Sequence, residues 1–535
     1  MNNIIEKINN IIKKNIEKYE SEKNIKKKKR INKRQYNIKN KRKNGINIKN
    51  VLEYCFLYSN INYTQETATS KTNINNKISY SRSSYERHFK KINVDFFKNL
   101  YCDILKLFKD ECQNYSKIIN VLNDNNSEIL ELQLNLNSTD GVCSEYIKNN
   151  KLYTNQDVYS YDSICNVPLK LMENKNITLF DNNKNNKSNK NSETVIINKY
   201  LNNLSETEEK YKDIYIGDRL YSSYIIMNNI IKARQYFVIR AKDNMDILKD
   251  VIKGKAKNND KSEIINDNNI RIINYTVPST NILKNKKKNK ELNFIVNKEY
   301  HLITNLPKND YSDDIIKTIY KFRWKIEIFF KHLKNNFKYD IFYSDDESSI
   351  EKLKYIEMAI YTLNNLFILI SLNEKYKKNN KIFDNAVKTR GSILEKKDKR
   401  FKKNKKAYYD YLNNNYKLCS IRVNIALSLT GFYELLLNKF INGNLSENDI
   451  DTYNKNYIKI QKNELNRNFC RTSISPFSKW YIKNYSRLNE FKKIVNAIEN
   501  NKIDSLNKNL KLKANELVEQ LNNTKILNKI KELLF

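Results

Sequence analysis

The sequence predicts an α/β protein: a mixed sheet flanked by helices, with a β-rich insertion, set between helical N- and C-terminal regions. Three observations carry that prediction. Short β-branched and aromatic runs fall between Asp157 and Lys242, with helical stretches between the later ones. Apolar patterns of helical period precede and follow that region. One capped amphipathic stretch, Tyr311 to Lys334, sets a polar strip beside an apolar stripe.

With 535 residues, the chain can bury a full-sized core and is expected to fold as two or three domains. Lys and Arg number 98 against 60 Asp and Glu, a formal charge of +38, and a surplus of that size points to a polyanionic partner. Part of the Lys, Asn and Ile content is also what an AT-rich coding genome would write. Cys55, Cys102, Cys112, Cys143, Cys165, Cys419 and Cys470 include no CxxC pair and read as reduced thiols. His88, His301 and His332 are too scattered for an all-histidine zinc site. No apolar leader follows the Lys-rich start and no run of 18 apolar residues occurs, so no membrane partner and a cytoplasmic location are expected.

In order along the chain, residues 1–45 read as a basic mobile arm. Isoleucines at helical spacing lead into a tract where eleven of the eighteen positions from Lys26 to Lys43 are Lys or Arg. Residues 46–150 read as a helical DNA-binding domain of short helices joined by polar turns. Arg82, Arg87, Lys90 and Lys91 supply its basic face, although a plain helical bundle would look the same. Residues 151–345 hold the predicted strands: the run from Val158 to Val167, Ile177 to Phe180, Thr194 to Ile197, Asp213 to Gly217 and Tyr236 to Arg240. The β-insertion is expected at about 250–310, where strand-like runs alternate with Asn/Lys-rich tracts. Residues 346–535 read as a helical C-terminal region that completes the core and is placed to aid dimerisation. Leu353, Ile356, Ile360, Leu363, Phe367 and Ile370 step at helical spacing there, and Ser420 to Phe440 forms a second apolar helix.

The stretch from Tyr311 to Lys334 reads as one helix. Ser312 caps it, and Asp313 and Asp314 meet its positive dipole end. At about 100° per residue, Ile319, Phe322, Ile326, Phe329, Phe330 and Leu333 form a buried arc, and Tyr320, Arg323, Glu327 and Lys334 share a strip about 60° wide at its border. Spacing alone is equally met by a solvated face with an Arg323/Glu327 pair at i,i+4. The pattern Tyr-x2-Arg-x3-Glu-x6-Lys, with Trp324 after the Arg and Ile326 before the Glu, resembles the Tyr-Arg-Glu-Lys motif of bacterial insertion-sequence DDE transposases. The resemblance covers roughly residues 40–485 and is strongest from Asp213 to Lys334. It implies that Glu327 is the third catalytic carboxylate, that Arg323 and Lys334 hold phosphate at the transposon end, and that Tyr320 meets the same DNA end. It also implies a ribonuclease-H-like catalytic core.

Metal-dependent phosphodiester cleavage needs carboxylates converging on two divalent ions about 4 Å apart, and Mg2+, or Mn2+ in its place, suits oxygen ligands. Asp218 ends the apolar strand that begins at Ile214, and Asp-Arg-Leu-Tyr resembles the family's Asp-Arg-Gly-Tyr, with Leu220 where Gly is usual. For the first carboxylate, Asp162 is taken as mid-strand and followed by Ser, with Asp157 and Asp181 as competitors. Catalytic and metal-binding roles are therefore expected at Asp162, Asp218 and Glu327, and DNA contacts at Tyr320, Arg323, Lys334, Arg82 and Arg87. The expected partners are double-stranded DNA, as transposon ends and target, and a second copy forming a homodimer on paired ends. A catalytically decayed, basic nucleic-acid-binding derivative is the alternative. An RNA- or ribosome-associated basic protein would explain the charge but not the four-residue strip.

Overall fold

The computed structural model describes residues 2–32, 46–123, 134–148, 151–173, 193–202, 212–242, 268–285, 290–339, 346–378 and 422–461, with short pieces at 129, 178–179, 245, 263–265, 341–342, 497–498, 503–505 and 511. Outside the described residues lie the rest of the expected arm, 33–45, the low-complexity polar tract 181–192, whose composition predicts a surface loop, the charged stretch 388–406, expected to be exposed, and 466–480, which resembles a C-terminal Arg/Ser/Trp segment of the same transposases.

Helices α1 (Asn2–Asn32), α2 (Ile48–Ser59), α3 (Gln65–Asn76), α4 (Arg82–Lys91), α5 (Val94–Cys112) and α6 (Ser116–Leu122) open the chain. Asn47, Thr64, Ser81 and Asn93 start four of them by accepting hydrogen bonds from first-turn N–H groups. The first half of the expected arm is not an arm. Ile4, Ile5, Ile8, Ile12 and Ile16 are at most 5% exposed, because a helical apolar stripe can only be satisfied by burial. That face lies on α5, where Lys7 pairs with Glu111 at 2.8 Å and Asn15 Nδ2 donates to Asp103 Oδ2 at 2.8 Å.

The sheet begins earlier than expected. Strand β1 spans Asn135–Lys148, so the core starts at residue 135 rather than 151. It is followed by β2 (Lys151–Asp162), β3 (Val167–Glu173), β4 (Thr178–Leu179), helix α7 (Glu193–Asn202), β5 (Asp213–Gly217), helix α8 (Tyr224–Lys232) and β6 (Tyr236–Arg240). The spatial order is β3-β2-β1-β5-β6, with β1–β2 and β2–β3 antiparallel and β1–β5 and β5–β6 parallel. This is a ribonuclease-H-like sheet. The run from Thr194 to Ile197, expected as a strand, is helical instead. β5 lies beyond β1 from β2 and β3, so the chain must cross the sheet after β3, and a crossover helix overrides the local preference of Val and Ile.

Beyond β6 come β7 (Glu263–Ile265), β8 (Asn268–Asn285), β9 (Lys290–Thr304), helices α9 (Asp313–Lys321) and α10 (Trp324–Asn336), β10 (Ile341–Phe342) and helix α11 (Glu347–Lys378). Strand β11 (Arg422–Val423), α12 (Ile425–Gly431), α13 (Leu437–Asn442), α14 (Glu447–Asn456) and β12 (Ile460–Gln461) follow. A π-helical turn, Phe432–Leu436, joins α12 to α13 in place of the single helix expected there. Residues 1–272 with 302–463 form one compact unit, and 273–301 with 464–535 a second. In the second unit, the distal parts of β8 and β9 are neighbouring strands.

Alternation on β2 sends Val158 to the face covered by α7 and α8, and Tyr159 and Tyr161 to the face covered by α10 and α11. Among the described residues α11 is long and apolar enough to cross a membrane, but 94% of its most apolar window is buried inside the protein, which makes it a core helix. It carries Lys354, which pairs with Asp157 of β2 at 2.7 Å, both side chains at most 1% exposed, and the Tyr339 hydroxyl donates to the same carboxylate at 2.5 Å.

Two consequences are measurable. Replacing Ile12 by Ala should cost about 2–5 kcal/mol in urea unfolding, whereas a mobile arm would tolerate it without loss. Lys354→Met strands the buried Asp157 charge and should cost about 3–5 kcal/mol. A change below about 1 kcal/mol, the ordinary range for exposed ion pairs, would mean the pair does not tie α11 to the sheet.

Candidate active site

The parallel register of β1 and β5 matches Ser138 with Ile216. Two residues further along each strand stand Asp140 and Asp218, neighbours at the C-terminal end of β5. The Asp140 side chain is 20% exposed, and the N–H of Gly141 donates to its Oδ1 at 2.9 Å. Asp218 Oδ1 accepts from Leu220 N–H at 2.6 Å, which starts the short turn Arg219–Tyr221. Leu220 does not take positive φ in that turn, so the residue standing where Gly is usual introduces no left-handed strain.

The third carboxylate comes from α10. The expected single helix is two helices: bonds from Phe322 N to Ile319 O, Arg323 N to Tyr320 O and Lys325 N to Phe322 O tighten the join into a 3₁₀-type turn. In such a turn residues i and i+3 eclipse, which brings Tyr320 directly under Arg323. Ser312 Oγ accepts from Ile315 N at 3.3 Å and caps α9 as expected, and the apolar stripe is buried at Ile319, Phe322, Ile326, Phe329, Phe330 and Leu333. Arg323 Nη2 donates to Glu327 Oε1 at 2.5 Å, and its Nη1 lies 3.6 Å from Asp140 Oδ2. One guanidinium thus joins the carboxylate of β1 to that of α10. Lys334, part-exposed, follows Glu327 by seven residues, about 10 Å along the helix axis.

Burial and neighbouring charges shift several groups in this cleft. Burial pushes the Asp140 carboxyl up to about 7; Gly141 N–H and Arg323 oppose the rise, and Glu193 and Asp218 add to it. Burial works against the charge on Arg323, yet Tyr320, Glu327 and Asp140 hold the guanidinium above its ordinary value. Burial likewise raises the Tyr320 phenol, against the pull of Arg323 and Arg240. Glu193, which the sequence reading did not single out, lies within this electrostatic neighbourhood.

The donor set of Asp140, Asp218 and Glu327 is oxygen only and suits a hard divalent cation. A cation there would offset the burial, and with it the carboxylate repulsion, that lifts Asp140, so the residues fit such an ion, although among the described residues no three His, Cys, Asp or Glu side chains are gathered tightly enough to form a ligand group.

Asp162 is not part of this constellation. It ends β2, where its Oδ1 accepts from Ile164 N at 3.0 Å and Cys165 N at 2.9 Å and shapes the turn into β3. Its partner on β1 is Asn137, three residues before Asp140, so it stands one strand over and about 10 Å back along the sheet. Of its competitors, Asp157 is consumed by Lys354 and Tyr339, and Asp181 lies outside the described residues. Asp140 was missed because residues up to 150 read as helical. The available signal was the alternation of Leu130, Leu132, Leu134 and Leu136, followed by Asp140-Gly141. Of the two arginines of α4 expected to contact DNA, Arg82 is paired with Glu66 at 2.6 Å and Glu86 at 3.3 Å, while Arg87 is exposed on the same helix.

Residues 186–363, a third of the chain, match the family model described as transposase DDE domain, a span that contains Asp218, Glu327 and the whole of α9 and α10. No curated protein matches the chain.

Proposed function

We propose that this chain, which matches the transposase DDE domain model over residues 186–363, is an insertion-sequence transposase that cuts DNA at the ends of its element and joins them to target DNA, with Asp140, Asp218 and Glu327 as the catalytic carboxylates. The observation that carries this reading is the link from Asp140 through Arg323 to Glu327, beside the strand end that delivers Asp218. Two Mg2+ ions, or Mn2+ in their place, held by these carboxylates would activate the attacking oxygen and stabilise the leaving one.

The protein's own groups do the rest. Arg323 carries donors beyond those spent on Glu327 and can turn a fork toward a phosphate that enters the cleft. Lys334 offers a second cationic contact further along the strand end, and Tyr320 shares the Arg323 position. Arg82 and Arg87, on α4, would follow the duplex backbone, Arg87 more readily because Arg82 is already engaged by two carboxylates. Double-stranded DNA is the partner, as transposon ends and target. A homodimer on paired ends, no membrane contact, and a cytoplasmic, nucleoid-associated location complete the reading. The decayed-derivative alternative is weakened by Asp140, which supplies a complete carboxylate set, and by the unstrained Leu220 turn.

The test is incubation of purified protein with its own flanking DNA and Mg2+. Asp140→Asn and Glu327→Gln should each lower end cleavage by at least about 10²–10³-fold while end binding survives, and Asp162→Asn should leave cleavage within a few-fold. Loss of cleavage in Asp162→Asn with full activity in Asp140→Asn would return the first carboxylate to β2. Arg323→Ala and Lys334→Ala should weaken end binding and flatten the slope of log affinity against log salt by about one unit for each phosphate no longer neutralised. Unchanged slopes in both would assign the strip to an ordinary solvated helix face.

A further inference from the structure

Glu193 opens α7 and is spent on no element of that helix. Its Oε1 accepts from Gln156 Nε2 of β2 at 2.9 Å, and its Oε2 accepts from the Tyr221 hydroxyl at 3.1 Å. Tyr221 closes the turn that begins at Asp218. On its third side, the carboxyl group lies on Gly141, the residue after Asp140, so closely that a Cβ there would overlap it. The Gly141 N–H favours the charged form of Glu193 as it does that of Asp140. Glu193 therefore touches, at once, the strand that carries the first site carboxylate and the turn that carries the second.

We propose that Glu193 is a positioning residue that sets the spacing of Asp140 and Asp218 by tying Tyr221 and Gln156 to the Gly141 backbone. The proposal rests on the reading of Asp140 and Asp218 as metal ligands. A strut of this kind is worth having because those two carboxylates repel each other before any cation arrives. Without a fixed connection between β1 and the Asp218 turn, each would relax into its own solvent-facing rotamer. Both Glu193 oxygens already accept from protein donors, which makes the residue a brace for ligands rather than a ligand. Gly141 is required at its position by close approach, not by backbone conformation.

The experiment is Mn2+ binding to the full-length protein without DNA, followed by loss of the free-ion paramagnetic signal, with thermal unfolding recorded in parallel. Tyr221→Phe and Glu193→Ala should each weaken Mn2+ binding by about tenfold, the loss expected for an outer-shell partner, with unfolding temperature little changed. The double variant should lose no more than either single, because the two residues act as one brace. Glu193→Gln, which keeps the shape, covers the case in which Glu193→Ala folds poorly, and should bind between the wild type and Tyr221→Phe. Wild-type affinity in both Tyr221→Phe and Glu193→Gln, or losses that multiply in the double variant, would overturn the strut. A loss in Glu193→Ala as complete as that in Asp218→Asn would overturn it too, by making Glu193 a ligand. If wild-type protein binds no Mn2+, or Asp218→Asn binds as wild type, the carboxylate reading itself fails and takes the strut with it.

Discussion

The site depends on the parallel pairing of β1 with β5. Parallel strands keep equal steps beyond a matched pair side by side, so Asp140, within β1, and Asp218, just past the end of β5, each two residues beyond Ser138 and Ile216, emerge as neighbours. A slip of one residue would turn every side chain of one strand to the other face and separate the two carboxylates. The register is pinned at its other end. Asn135 Nδ2 donates to Asp213 Oδ1 at 2.8 Å, Asn135 N–H donates to Lys212 O at 2.8 Å, and Asp213 N–H donates to Gln235 Oε1 at 2.9 Å. Polar bonds at the N-terminal edge thus fix where the two carboxylates fall, while the apolar middle of β5 supplies the burial that keeps the strand central.

What positions the third carboxylate is aromatic packing on the face of the sheet that α10 and α11 cover. Phe329 of α10 stacks on Tyr161 at 5.1 Å between centroids and meets Tyr159 edge-on at 5.6 Å, both rings from β2. β2 is tied in turn to α11 by the Asp157–Lys354 pair. At the other end of the helical pair, Arg271 of β8 donates to Leu306 O, Tyr311 O and Asp313 Oδ1, anchoring the start of α9. Glu327 sits in the first turn of a helix clamped by rings behind it, which lets a tight join at Phe322 and Arg323 decide what its neighbours face.

These devices differ in how far local sequence expresses them. The cap at Ser312, the buried stripe of α10 and the strand ending at Asp218 are local, and the residues show them directly. The break between α9 and α10 is not legible, since nothing from Tyr320 to Trp324 is a helix breaker and the turn is set by what the two helices pack on. The same holds for α7, whose Val and Ile read as strand until the crossover demanded by the sheet makes them helix. Asp140 was hidden by a misplaced boundary: an alternating leucine run was absorbed into a helical region because everything before it is helical. The isoleucines of α1 were visible, but a basic tract on the same helix drew the whole segment toward the solvent.

Asp157, Asp162 and Asp140 are three aspartates on neighbouring strands, and local sequence treats them alike. Their surroundings do not. Asp157 is fully buried and fully compensated, by a lysine and a phenol, so its cost is met and it serves the fold. Asp162 is buried and compensated by two backbone donors of its own turn, so it also serves the fold. Asp140 alone is left under-compensated: burial and two carboxylates push against its charge, and only Gly141 N–H and the shared arginine favour it. A fold tolerates such an imbalance at an edge open to ligands, where a bound cation supplies the missing charge, and this is the physical ground for preferring Asp140 over its better-satisfied neighbours as the proposed first carboxylate.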